Sequence, residues 1–303
     1  MSKPYLSIII TAKDINDSKL KELLWSIRQQ SFTDYEVIVE TRGNSESAKG
    51  IALKKAKGDI VCIMASDNYL NDSKFFEKCL IPFEDEHIVG SFPNRYWYYK
   101  DDNILNRYFA LFGVNDPVPL YLNKNDRQPY YTEESLGYPT CMFNRGYMRV
   151  KLTSVPTLGD NGMFVRRSIL MRANIEEYFH IDVFQDLFDL GFKHYAVVDT
   201  SIWHRTGGNI FKFFKKRLFY ASKFASDRRW HMVENRDIPQ LIWFIFCTVT
   251  LIQPFYLSFK GYRVIKDKAW FLHPIVCWFT LITYGLWILK KLIVSLFKHE
   301  SNS

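Results

Sequence analysis

Two hydrophobic periods alternate along the first 65 residues, and this alternation constrains the fold more than any other feature. "YLSIII" (5–10), "YEVIVE" (35–40) and "DIVCIM" (59–64) are short apolar runs rich in β-branched residues. Between them, "KLKELLWSIRQQ" (19–30) sets Leu20, Leu23, Leu24 and Ile27 at helical spacing, and "SESAKGIALKKAKG" (45–58) reads as a second helix closed by Gly58. Strands alternating with helices of these lengths imply parallel strands joined by crossover helices. The expected product is an open α/β sheet that holds its ligand at the C-terminal strand ends.

Order is weaker over residues 91–150, where Tyr, Asn and Pro are frequent and no period is sustained; long substrate-facing loops with short strands and helices are expected there. It returns in "GMFVRRSILMRA" (162–173), a strand or helix start, and in "DVFQDLFDLGFKHYAVVD" (182–199), a helix ending at Gly191 followed by a strand. The last third is different. "LIWFIFCTVTLIQPFYLSF" (241–259) and "AWFLHPIVCWFTLITYGLWIL" (269–289) contain no Asp, Glu, Lys or Arg and are long enough to cross ~30 Å of hydrocarbon as a helical hairpin. Re-entrant or interfacial placement of one or both is the alternative. Ahead of them, "IFKFFKKRLFYASKFASDRRW" (210–230) mixes aromatic and basic residues at helical spacing, as an in-plane membrane-surface helix would, or a buried amphipathic one. The expected division is therefore residues 1–208 as a catalytic or binding domain, 209–236 as an amphipathic interfacial region and 237–303 as two membrane-embedded helices.

Charge and cysteine usage narrow the function class. A formal net charge of +8 suggests an anionic partner: phosphate, nucleic acid or a membrane surface. A nucleic-acid binder would leave the apolar runs unexplained, since the aromatics lie mainly in membrane-like segments rather than between basic residues. Cys62, Cys79, Cys141, Cys247 and Cys277 are scattered with no CxxC pair, which indicates neither a zinc site nor a disulfide framework. The N-terminal apolar run soon meets Lys13 and Asp14, too early for a signal peptide. Basic residues before the first apolar run and after the second favour membrane attachment with the catalytic domain on the cytoplasmic side.

The strand "DIVCIM" stops abruptly in Ala65, Ser66, Asp67 and Asn68. A carboxylate at a C-terminal strand end suits a divalent cation bridging phosphates, because Mg²⁺ and Mn²⁺ take hard oxygen ligands. The same residue types also favour a turn or helix N-cap.

Taken in order, "LSIIITAKDIND", "LLWSIRQQSFTDYEVIVE", "AKGIALKKAKGDIVCIMASDNYL", "GDNGMFVRRSIL" and "DVFQDLFDLGFKHYAVVDTSIWH" resemble the family 2 glycosyltransferases, inverting enzymes of the GT-A fold, over about residues 5–207. The resemblance implies a Rossmann-like mixed sheet and transfer of a hexose from a nucleotide-sugar, with UDP or GDP as the nucleotide, to a lipid-linked or membrane-proximal glycan acceptor, with Mn²⁺ or Mg²⁺ as cofactor. A polyprenyl-phosphate glycosyl synthase, or a catalytically weak GT-A module serving in binding or assembly, are the alternatives. Residue by residue, it places donor contacts at Thr11, Glu40, Arg42, Ser66, Asp67 and Asn68, with Ala65 standing where the family has a carboxylate. It implies metal contacts by Asp67 and His204, with Arg205 against the diphosphate. Gly159, Asp160, Asn161 and Gly162 fall in the loop that meets the acceptor. The acidic pattern that carries the family's catalytic base falls on "FHID", leaving Asp182 as the expected base and His180 as the second candidate. "GVNDPVPLYLNKNDR" (113–127), with Asp116, Asp126 and Arg127, matches nothing in the family pattern and reads as an insertion.

Overall fold

The computed structural model describes residues 3–176, 178–206, 208–224 and 234–300. β1 (Leu6–Thr11), α1 (Ser18–Arg28), β2 (Tyr35–Glu40), α2 (Ser45–Lys55) and β3 (Ile60–Ala65) realise the alternation read from the sequence. Both helices start at side-chain caps, Asp17 accepting from the Lys19 amide and Asn44 from the Glu46 and Ser47 amides. Gly58 does not close α2, which ends at Lys55 with Ala56 as its C-cap. Its bare Cα instead lets the chain pass over β1, where an added Cβ would lie 2.6 Å from the Ser7 nitrogen.

A two-residue strand β4 (Asn68–Tyr69) and α3 (Phe75–Leu80) follow, then β5 (Gly90–Tyr96), α4 (Ile104–Phe112) and α5 (Pro117–Tyr121). A small hairpin, β6 (Glu134–Ser135) and β7 (Tyr138–Pro139), leads to β8 (Tyr147–Lys151) and β9 (Met163–Arg166); then come α6 (Arg167–Leu170), α7 (His180–Asp189) and β10 (His194–His204). The strands order as β2-β1-β3-β9-β5-β10-β4, with β8 on β10. β1, β2 and β3 are parallel, and β10 is parallel to β5. β9 runs antiparallel between β3 and β5 and makes the sheet mixed, as the resemblance implies. Alternate residues of the central strands serve two cores. Ile9, Val61 and Ile63 pack with α2 and α7, while Ile8, Ile10, Cys62 and Met64 pack with α1 and α3.

The C-terminal third packs on the sheet domain through α4 and α5. α8 (Ile210–Phe224) stacks Phe214 on Phe279 at 3.7 Å between ring centroids and leaves Phe211 and Leu218 exposed. Part of the expected surface helix, residues 225–230, lies outside the described residues. The apolar run 241–259 is not one helix. It divides into α9 (Ile238–Thr250) and α10 (Ile252–Val264), bent by 81° at Leu251, whose φ is +61°. Pro254 accounts for the break, since its ring collides with the carbonyl four residues earlier and it has no N–H to donate. The second run is continuous, a 3₁₀ turn (Lys268–Leu272) leading into α11 (His273–Glu300). The stretch Lys268–Lys290 is long and apolar enough to cross a membrane.

Candidate active site

Register sets the frame. Thr11 pairs with Glu40 on one side and with Ala65 on the other, so β1, β2 and β3 end at one level. The loop 159–162 returns to that level, with the Gly162 amide donating to the Ile63 carbonyl at 2.9 Å. Asn68 and His204 meet as a cross-strand pair of β4 and β10. Residues from five distant parts of the sequence thus converge on the C-terminal edge of the first three strands.

Two charged groups stand there. In the first, His204 Nε2 lies 3.4 Å from Asp67 Oδ1, and the Arg205 amide donates to the Asp67 carbonyl at 2.9 Å, fixing the turn. His204 is largely buried, with Asn115 3.5 Å from its Nδ1 and the Tyr96 ring 5.4 Å away between centroids. In the second, Asp160 is bound by Lys49 Nζ at 2.7 Å and faces His180 Nδ1 at 3.6 Å. Burial by itself would raise the Asp160 carboxyl, but Lys49 and then His180 outweigh it and hold the group below the ordinary carboxylate range. Burial lowers the His180 imidazole despite the opposing charge of Asp160, which favours the neutral ring near pH 7.

Asn161 joins the two groups. Asn68 Nδ2 donates to Asn161 Oδ1 at 2.9 Å, and Asn161 Nδ2 donates to the Tyr96 hydroxyl at 3.2 Å. Asn68 Oδ1 in turn accepts from the Ala65 amide at 3.0 Å, so the fully buried amide is a brace between strand end and loop. Ser66 completes this turn between β3 and β4. Arg127, also fully buried, donates to the Asn161 carbonyl at 2.8 Å and pairs with Asp126 at 2.6 Å. Burial raises the Asp126 carboxyl, with Arg127 opposing.

Not every expected residue joins the cluster. Glu40 is buried under Arg42 and Lys55, accepting from Arg42 Nε at 2.7 Å and from Lys55 Nζ at 2.6 Å. These bonds, Arg42 first and then Lys55, hold its carboxyl far below the ordinary value. The Arg205 side chain forms an ion pair with Glu22 and lies over the Tyr69 and Trp203 rings at 5.5 and 4.9 Å. Asp182 is buried in the first turn of α7. Two residues on a helix are separated by ~200°, so Asp182 and His180 project to different sides of α7, and the contact with Asp160 belongs to His180.

Lys49 and Tyr96 carry no signal in the sequence. Lys49 sits between Ala48 and Gly50, and Gly50 matters because an added Cβ would lie 2.3 Å from the Ile175 carbonyl. This close approach draws α2 against the segment that leads into α7. The segment 113–127, expected to be an insertion, has a structural part as well. Lys124, almost wholly buried, bridges to Asp237 at 2.6 Å, and the Arg217 guanidinium donates to the Asn115 carbonyl at 2.7 Å. This segment therefore links the site residues His204 and Asn161 to the apolar helices.

Among the described residues no three His, Cys, Asp or Glu side chains gather as a metal cluster. The pair Asp67 and His204 nonetheless offers an oxygen and an imidazole nitrogen 3.4 Å apart. Adjacent ligands of an octahedral ion lie about 3 Å apart, so this spacing fits two sites on one cation, the remainder being free for water or substrate oxygens.

No family model and no curated protein matches the chain. Among solved structures, a mannosyltransferase from Pyrobaculum calidifontis in complex with GDP-Man and Mn²⁺ is 11% identical, with a TM-score of 0.49 over 94% of this chain and 87% of that one. Glucosyl-3-phosphoglycerate synthase from Mycobacterium tuberculosis, in complex with Mn²⁺, UDP and phosphoglyceric acid, is 17% identical, with a TM-score of 0.44 over 73% and 78%. TarS 1–349 from S. aureus in complex with UDP is 13% identical, with a TM-score of 0.43 over 92% and 88%.

Proposed function

We propose that the protein is an inverting glycosyltransferase that moves a sugar from a nucleoside-diphospho-sugar to an acceptor hydroxyl at a membrane surface. The observation that carries this reading is the pairing of Asp67–His204 with Lys49–Asp160–His180 across the Asn68–Asn161 brace. The pair suits a cation and a diphosphate, and the triad suits proton removal. Both stand at the strand ends where an α/β sheet of this kind binds its ligand.

In this reading His180 takes the proton. With Nδ1 turned toward Asp160, Nε2 is the atom assigned to the acceptor hydroxyl, whose oxygen attacks the anomeric carbon while the bond to the diphosphate breaks on the opposite face. Asp160 orients the ring and stabilises the imidazolium that forms, and Lys49 keeps Asp160 ionised. Asp182, the base expected from the sequence, is assigned to the helix N-terminus, where a carboxylate is favoured by the dipole. Asp67 and His204 would hold Mn²⁺ or Mg²⁺, which supplies positive charge against the diphosphate when bound. Ser66 and the Thr11 strand end fall on the donor side.

The acceptor's location is argued from the helices. α11 buries His273, Val276, Cys277, Thr280 and Thr283 and exposes Ile275, Phe279, Ile282, Leu286 and Leu289. α9 and α10 are divided in the same way, exposing Ile242, Phe246, Ile252, Phe255 and Phe259. Apolar surface of this extent, bordered by exposed Lys260, Arg263, Lys266 and Lys268, suits an anionic bilayer.

The test is donor binding. A UDP or GDP, with Mn²⁺, should raise the melting temperature of the full chain, and Asp67→Asn should abolish that rise. Absence of stabilisation by every nucleoside diphosphate would refute the reading.

A further inference from the structure

Strand alternation turns Trp203 and Tyr69 away from His204 and Asn68, toward a second face that the proposed chemistry does not use. That face carries a shelf of rings. Trp97 and Tyr99 stack at 5.5 Å with 12° between planes, and both meet Trp203 edge-on at 5.3 and 5.4 Å. Tyr69 continues the row to Trp25 at 6.3 Å, and both Trp25 and Tyr99 are exposed. The Trp203 indole N–H is held by Asp102 at 2.7 Å, which fixes the shelf's centre.

A polar cleft of ≈ 280 Å³ lies two residues further down the same strands, lined by Arg95, Ser201, Thr200, Asn71, Asp72 and Asp199 among others. Ser201 and Arg95 pair across β10 and β5 just after the register shift between Val198 and Ser201, which opens the strand edge here. Arg95 makes no ion pair with the described residues. It lies over the Tyr130 ring at 4.8 Å, and its buried Nε has no hydrogen-bond partner among the described residues. Asp72 is paired with Lys78 at 2.6 Å, and Asn71 reaches Ser201 at 3.4 Å. The positive charges of Arg95 and Lys78 balance those of Asp72 and Asp199, so the cleft has no net charge with which to select an ion.

We propose that this face is a saccharide-binding site, separate from the transfer site, that takes a neutral oligosaccharide. Planar carboxylate, amide and guanidinium groups match vicinal hydroxyls, and the exposed outer rings of the shelf, Tyr99 and Trp25, match the C–H face of a pyranose. The cleft is smaller than the ~300–1,000 Å³ of pockets that enclose a drug-sized molecule, a size for one sugar ring with the next on the shelf. Binding here does not depend on the transfer chemistry.

The experiment is titration of the full chain in detergent with short oligosaccharides of glucose, mannose and N-acetylglucosamine, followed by tryptophan fluorescence and equilibrium dialysis. At least one neutral series should bind. Tyr99→Ala and Arg95→Ala should each weaken it about tenfold or more, while Tyr99→Phe, which keeps the ring, should bind as the native chain does. The rise in melting temperature on adding a nucleoside diphosphate reports separately on the donor site and should be unchanged in all three variants. Absence of binding by every neutral series, equal binding by Tyr99→Ala and Arg95→Ala, loss of binding in His180→Ala instead, or binding of sulfated saccharides alone would each overturn the proposal.

Discussion

Gly159 is the position where a single methyl group should most directly separate fold from chemistry. Its φ is +124°, and a Cβ built there would lie 2.4 Å from His180 Cβ and 3.0 Å from the Phe184 ring. His180 Cβ is fixed to the backbone of α7 and cannot swing aside, so the loop or the helix must move by about 1 Å to restore contact distance. The strained backbone costs about 1–3 kcal/mol and the overpacking about 1–3 kcal/mol more, giving about 2–6 kcal/mol for Gly159→Ala. A displacement of that size between His180 and Asp160 should also cost about 100-fold in turnover. Gly146→Ala isolates the backbone contribution, because its φ is +80° with no atom of the described residues within 4 Å of the added Cβ. Denaturant unfolding and turnover of both variants are the assay. Gly159→Ala with the stability and activity of Gly146→Ala would refute the placement of the loop against α7.

Other outcomes follow from the same contacts. Lys124→Met should destabilise the chain by about 3–5 kcal/mol by leaving Asp237 buried without its 2.6 Å partner, and adding Asp237→Leu should recover most of the loss in a denaturant double-mutant cycle. The Glu40 carboxyl is depressed from 4.5 in the folded state, so its contribution is fully present above that value and fades as pH falls through the folded one. Glu40→Gln should accordingly flatten the acid limb of the stability profile below pH 4.5. The His180 imidazole is lowered from 6.5, so kcat/KM should fall on the acid side with an apparent pKa below 6.5, and the limb should vanish in the residual activity of His180→Ala.

Local signals were legible in the sequence where they were strong. β2 spans the six residues Tyr35–Glu40 read from their pattern, and β1, β3 and α1 lie within two residues of their expected ends. β5 was hidden because "GSFPNRY" holds Gly, Pro and Asn, poor strand formers that tertiary context overrides. Pro93 is tolerated next to the register shift, where it faces Val198. The bend at Leu251 did have a signal in Pro254, but composition alone made residues 241–259 look like one span. In the site, the family resemblance implies Asp67, Asn68, Asp160, Asn161, His180 and His204, and the structure brings them to one edge. Lys49 could not be named, because its partner Asp160 is more than a hundred residues away and a lysine in "SAKG" looks like any solvent-facing cation. The sequence ranks Asp182 above His180, and the proposal that reverses this order rests on the helix face that turns His180 toward Asp160.

The central claim is that a neutral His180, oriented by Asp160, removes the acceptor proton at a site whose donor pocket is built separately. Single-turnover transfer from a nucleotide-sugar by His180→Ala, alongside Asp182→Asn, tests it most directly. The account predicts that His180→Ala loses about 10²–10⁴-fold in rate while still being heat-stabilised by nucleoside diphosphate, with Asp182→Asn much less affected. Transfer at the native rate by His180→Ala, with loss confined to Asp182→Asn, would contradict it.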